Sequence, residues 1–103
     1  MKLLTSQTAK VGKGPRVCLW NHRNLPASGF SIGTPVDVSR EGSTVEIRIG
    51  SEASRRKVSR VRNHGKVLPV IDLKGSIVDG LGARVLVEFF PGLIRISPEG
   101  STT

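Results

Sequence analysis

The chain has 103 residues, 37% of them hydrophobic, which is enough for one modest core but leaves no room for a buried catalytic chamber. Sixteen Lys and Arg against eight Asp and Glu leave a net charge of +8 and point to a polyanionic partner, of which nucleic acid is the commonest. Cys18 is the single cysteine, so an intramolecular disulfide is excluded and a reducing cytoplasm is the expected compartment.

In chain order, residues 1–15 read as a flexible basic arm carrying Lys2, Lys10 and Lys13. Only Leu3 and Leu4 precede its polar stretch, far short of a signal peptide or a membrane span, so no membrane partner is expected. Arg16 to Trp20 is predicted to be a short strand with Val17 and Leu19 on one face. A single helical turn follows, with Pro26 among its first residues and Gly29 at its left-handed exit. Phe30 and Ile32 are expected to pack inward, and Val36 to Ile49 to form a hairpin turning at Glu41-Gly42-Ser43.

Residues 51–66, SEASRRKVSRVRNHGK, form a basic connector between this first unit (16–50) and a second (67–98). Arg55, Arg56, Lys57, Arg60, Arg62 and Lys66 are offset there by Glu52 alone. Such a run is either a solvated linker or a binding surface that Val58 and Val61 tether to the core. The second reading is favoured, because charge concentrated in one segment creates a local field that evenly spread lysines do not. In the second unit, Val67 to Leu73 is extended and Ser76 to Asp79 reads as a helical turn with Ser76 as its cap. A second hairpin then turns at Phe90-Pro91-Gly92-Leu93, with Pro and Gly where a type II turn wants them. Residues 99–103 are a tail.

The two hairpins repeat each other. Val36 to Ile47 (VDVSREGSTVEI) returns forty-nine residues later, without a gap, as Val85 to Ile96 (VLVEFFPGLIRI). Val36, Val38, Val45 and Ile47 superpose on Val85, Val87, Ile94 and Ile96. Two copies of a small β unit can bury each other's apolar faces, so 16–98 is expected to be one pseudo-twofold domain.

From Gly65 onward, GKVLPVIDLKGSIVDGLGARVLVEFFPGLIRIS resembles the AbrB/MazE-type swapped-hairpin superfamily: a Gly-basic pair, an apolar-Pro strand, a looped-hinge helix and two alternating strands. The first unit is similar to its SymE-like branch, through Ala27, Gly29, Phe30, Gly33, Thr34, Val36 and Val38. The resemblance implies a mainly β fold in which two tandem looped-hinge hairpin repeats, with short helical turns, form a pseudo-twofold swapped-hairpin barrel. It also implies duplex DNA as partner, gripped by basic residues of loops and hinges. By position, Lys66 matches the basic residue after the glycine, Lys74 the first basic residue near the hinge, and Arg60 lies on the basic approach strand. Gly75 stands where the family tends to have arginine, and Arg55, Arg56, Lys57 and Arg62 are expected to replace that grip.

The candidate DNA-binding set is therefore Arg55, Arg56, Lys57, Arg60, Arg62, Lys66 and Lys74, with Arg23 and Lys13 added. Phe30 and Phe89 read as core, while Trp20 and Phe90 fall on the alternate face and suggest a homodimer seam. Enzyme readings find no support. His22, His64 and Cys18 lack metal-ligand spacing, the carboxylates have no evident acid/base partner, and no phosphate- or dinucleotide-binding glycine motif is present, so neither cofactor nor small-molecule substrate is expected. A small transcriptional regulator or antitoxin-like repressor is the leading expectation. A SymE-like toxin or nucleoid-associated protein is one alternative, and a phage-type inhibitor of an acidic or nucleic-acid-binding partner is another.

Overall fold

A computed structural model describes residues 2–21 and 23–99. Among these described residues, nine strands form two antiparallel sheets that share one core. They are β1 (Thr5–Lys10), β2 (Arg16–Leu19), β3 (Pro35–Glu41), β4 (Thr44–Ile49), β5 (Arg56–Lys57), β6 (Ser59–Asn63), β7 (Lys66–Lys74), β8 (Arg84–Phe90) and β9 (Leu93–Pro98). A helical turn, α1 (Asn24–Ala27), follows β2, and a 3₁₀ turn over Gly75–Ile77 follows β7. The larger sheet has the order β1-β8-β9-β4-β3-β5 and the smaller β2-β7-β6.

Alternation builds the centre of the larger sheet. Val45 and Ile47 on β4, Val85, Val87 and Phe89 on β8, and Ile94 and Ile96 on β9 all point to one face and are fully buried. From the smaller sheet, Val17, Leu19, Ile71 and Leu73 meet them in the same apolar cluster. Both hairpin turns have the glycine geometry their sequences ask for. Gly42 takes φ 60° at the first position of a two-residue turn, and Gly92 takes φ 73° after Pro91.

The central pairing carries the internal repeat. On β4 and β9, Val45 faces Ile96, Glu46 faces Arg95 and Ile47 faces Ile94, so the middle pair joins two residues forty-nine positions apart, the spacing of the sequence repeat. The rims differ. β3 is covered by β5, from the connector, whereas β8 is covered by β1, from the other end of the chain.

Several expectations change here. Neither sheet closes into a barrel among the described residues, because β1 and β5 bound one sheet and β2 and β6 the other without meeting. Residues 5–10, read as part of a flexible arm, are instead paired along their whole length with β8. Thr5, Gln7 and Ala9 turn partly inward there, and polar side chains in those places conceal the strand from a hydrophobicity reading. The connector likewise contains β5 and β6. Ile32 is exposed, and only Phe30 of that pair is inside. Ser76 makes no cap, since the second turn is 3₁₀ and starts at Gly75. Asn21 caps α1, its Oδ1 accepting from the N–H groups of Arg23 and Asn24 at 3.0 and 2.8 Å. Phe90 is buried beneath the Arg95 guanidinium, 5.2 Å from its ring centroid, so of the proposed seam only Trp20 is exposed. His22 and tail residues 100–103 lie outside the described residues.

Candidate nucleic-acid interface

The basic segment is placed by a short polar loop. After β4, the Gly50 N–H donates to the Pro35 carbonyl at 2.8 Å. The Ser54 hydroxyl then accepts from the Ser51 N–H at 2.9 Å and donates to Asp37 Oδ1 at 2.7 Å. A Cβ on residue 50 would lie 2.1 Å from the Ser54 Oγ, so the loop closes only over glycine. It delivers Arg55 to the sheet edge, where Arg56 pairs with Val36 and Lys57 with Pro35. Val58 is buried, exchanging backbone hydrogen bonds with Thr34 and Gly33 at 2.9 and 2.8 Å, and so pins the crossing from the larger sheet to the smaller.

Beyond Val58 the chain forms a two-stranded ribbon from β6 and β7. His64 and Gly65 take φ 50° and 77°, the paired positive angles of a type I′ turn, and Asn63 faces Lys66 across it. Arg60 and Arg62 alternate with half-buried Val61, so both guanidinium groups project from one ribbon face. Pro69 lies opposite Arg60 and Val67 opposite Arg62 on that face. Pro69 is buried where the core ends, while Val67, one step of the pleat further out, is 46% exposed. Toward its turn the ribbon therefore leaves the body of the protein.

Acidic groups compensate five basic residues elsewhere, while Lys2, Lys10, Lys13 and Arg23 have no acidic partner within ion-pairing distance among the described residues. On the outer face of the larger sheet, Glu46 takes Arg48 at 2.8 Å and Arg95 at 3.4 Å. Arg84 reaches Glu99 at 3.4 Å. Arg40 is used internally: its guanidinium donates to the carbonyls of Ser76 and Asp79 and its Nε to that of Gly42, bracing the first hairpin against the second helical turn. On the smaller sheet, Arg16 donates two hydrogen bonds of 2.9 Å to the Asp72 carboxylate, and these hold that carboxyl below its ordinary pKa. Arg55, Arg56, Lys57, Arg60, Arg62 and Lys66 are all exposed, and none has an acidic partner within ion-pairing distance among the described residues.

Those six follow one another along β5, β6 and the start of β7. The other three candidates lie outside that run of sequence. Lys74 ends β7, about 26 Å from Lys66 at strand rise, but it pairs at 3.7 Å with Asp72, which lines one surface pocket with Arg55, Arg56 and Lys57. Lys13 lies in the β1–β2 turn at that same end, where the Pro15 carbonyl accepts from the Gly75 N–H. Arg23 stands exposed at the start of α1. Sequence reasoning missed the ribbon and the exposure of Val67. The signal was present in the His-Gly pair between two alternating runs, the pattern of a two-residue hairpin turn.

Among the described residues no cluster of three His, Cys, Asp or Glu could hold a metal ion, and no helix is long and apolar enough to cross a membrane. No family model matches the chain, and neither a curated protein nor a solved structure matches it, so geometry and charge carry the functional reading.

Proposed function

We propose that this chain is a duplex DNA-binding protein, a small transcriptional regulator or antitoxin-like repressor built of two AbrB-like hairpin units. The observation that carries the reading is the density of unpaired charge: six exposed cationic side chains without acidic partners fall within twelve residues of sequence, from Arg55 to Lys66, whereas Arg16, Arg48, Lys74, Arg84 and Arg95 are each paired and the other exposed unpaired cations, Lys2, Lys10, Lys13 and Arg23, lie outside that stretch. Uncompensated guanidinium groups at fixed positions suit phosphates, which they bind bidentately. Duplex rather than single-stranded nucleic acid is favoured by the aromatic side chains. Phe30, Phe89 and Phe90 are buried, which leaves Trp20 as the one described aromatic free to stack on a base.

Binding of labelled random-sequence and selected duplexes, titrated across salt concentration, tests the reading. Six neutralised phosphates give a slope of log affinity against log salt near ~−5, and replacing Arg55, Arg56 and Lys57 together by Ala should reduce it by about three. A large preference for the selected duplex supports a regulator. Equal affinity for all sequences points to a coating protein, and no duplex binding at low salt points to an inhibitor that engages an acidic protein.

A further inference from the structure

We infer that the β6–β7 ribbon enters the major groove of B-form DNA, where Arg60 and Arg62 read two guanines and Val67 a thymine methyl group. This rests on the duplex reading above and assigns base recognition to part of that surface. Three side chains make one small face: Arg60, Arg62 and Val67 line a shallow groove of about 280 Å³ on the ribbon.

Val67 is the informative member. A surface serving phosphates alone gains nothing from an apolar side chain held open beside two arginines. The major groove offers such a side chain a partner in the thymine C5-methyl, beside the guanine O6 and N7 acceptors that arginine contacts bidentately. The same face is sealed by Pro69 where it meets the core, so exposure of Val67 is confined to the projecting part of the ribbon.

Dimensions agree. Two strands about 4.8 Å apart, with side chains on both faces, fit a groove ~12 Å wide but not a minor groove of ~6 Å. The two-residue turn at His64 and Gly65 adds no bulky loop at the tip. Arg60 and Arg62 stand two residues apart on one strand, about 6.8 Å, which is about two base-pair steps. They would therefore address guanines with one base pair between them, and Val67, directly across from Arg62, a thymine beside the second guanine. Arg56, Lys57 and Lys66 remain for the flanking phosphates. An A-form RNA duplex, whose major groove is deep and narrow, excludes this fit.

The test is selection of binding duplexes from a random pool by the intact protein, followed by affinity measurements on the recovered sequence and on random duplex. Recovered sequences should contain two guanines spaced by one base pair with a neighbouring thymine. The double variant Arg60→Lys, Arg62→Lys keeps the charge but loses the fork. It should lower affinity for random duplex about twofold and for the selected duplex tenfold or more. Replacing the thymine by deoxyuridine should weaken the wild-type protein severalfold and the Val67→Ser variant hardly at all. If wild-type protein binds duplexes with a steep salt slope but recovers no common sequence, or if the lysine variant loses equally on both duplexes, base reading falls while DNA binding stands. If an RNA duplex binds as tightly as the selected DNA, the groove assignment falls. Absence of any duplex binding removes both.

Discussion

Substituting Gly50 by alanine places one methyl group where the loop before β5 has no space for it. The residue does not occupy the left-handed region, so alanine costs the backbone nothing there and the whole effect is contact. The new Cβ would sit 2.1 Å from the Ser54 Oγ, 3.0 Å from the Ser54 Cβ and 3.2 Å from the Asp37 Cγ, so Ser54 must move. Its displacement breaks the 2.9 Å bond from the Ser51 N–H and the 2.7 Å bond to Asp37. At roughly 0.5–1.5 kcal/mol for each exposed hydrogen bond, the loss of two is about 1–3 kcal/mol, with Tm falling on the order of 4–8 °C for each kcal/mol in a domain of this size. Urea denaturation followed by circular dichroism measures it. Ser54→Gly removes the obstructing atoms, so the Gly50→Ala, Ser54→Gly double variant should cost about 1 kcal/mol less than the two single changes added together. Alanine tolerated at position 50 without loss, or strict additivity in the double variant, would refute the steric argument and with it the claim that this loop fixes Arg55 and β5.

Phe89→Ala, which empties a fully buried site on β8, should cost about 3–5 kcal/mol in the same assay and leave a population of unfolded chain at 37 °C. Arg40→Met keeps the aliphatic stem but removes the bonds to the carbonyls of Ser76, Asp79 and Gly42, and a loss of about 1–3 kcal/mol is expected, read from the urea midpoint. Asp72 has its pKa lowered chiefly by the Arg16 hydrogen bonds, so its contribution is complete above the ordinary carboxylate pKa and fades as pH falls through that value toward the depressed one. Urea midpoints of the wild-type protein measured from pH 7 to pH 2 should therefore drop more steeply at the acid end than those of Asp72→Asn, with a small difference because the pair is partly solvated.

The paired hairpins were legible because their signal is local: apolar residues at every second position, interrupted by Glu41-Gly42-Ser43 and Pro91-Gly92. The forty-nine-residue spacing even anticipates which residues meet at the sheet centre, since Glu46 and Arg95 are counterparts in the repeat and neighbours in the fold. β1 was not legible, because Thr5, Gln7 and Ala9 occupy half-buried positions of an edge strand, where polar groups are tolerated and no apolar alternation is imposed. β6 was obscured differently. Arg60, Val61, Arg62 and Asn63 alternate in exposure, but their charge reads as a run of solvated residues until the His64-Gly65 turn supplies the partner strand. Closure of a sheet depends on which distant edges meet, and nothing local in β1, β2, β5 or β6 encodes that. For the candidate site, the six basic residues between Arg55 and Lys66 divide in space: Arg55, Arg56 and Lys57 sit together beside Asp72, and Arg60 and Arg62 sit together beside Val67. Lys74, Lys13 and Arg23 were added by resemblance or charge alone, and β7 is long enough to carry Lys74 to the far end of its sheet.

The seat of β1 imposes an order on the protein's assembly. Thr5 meets Phe89, eighty-four residues further along, so β1 has no partner until β8 has been synthesised. The connector can seat its own edge strand much sooner, because Arg56 needs only Val36, twenty residues behind it. Such distant closure belongs to slowly folding topologies, with relaxation in milliseconds to seconds, and it leaves the unpartnered flank of β8 as the surface on which nascent molecules would first stick to one another.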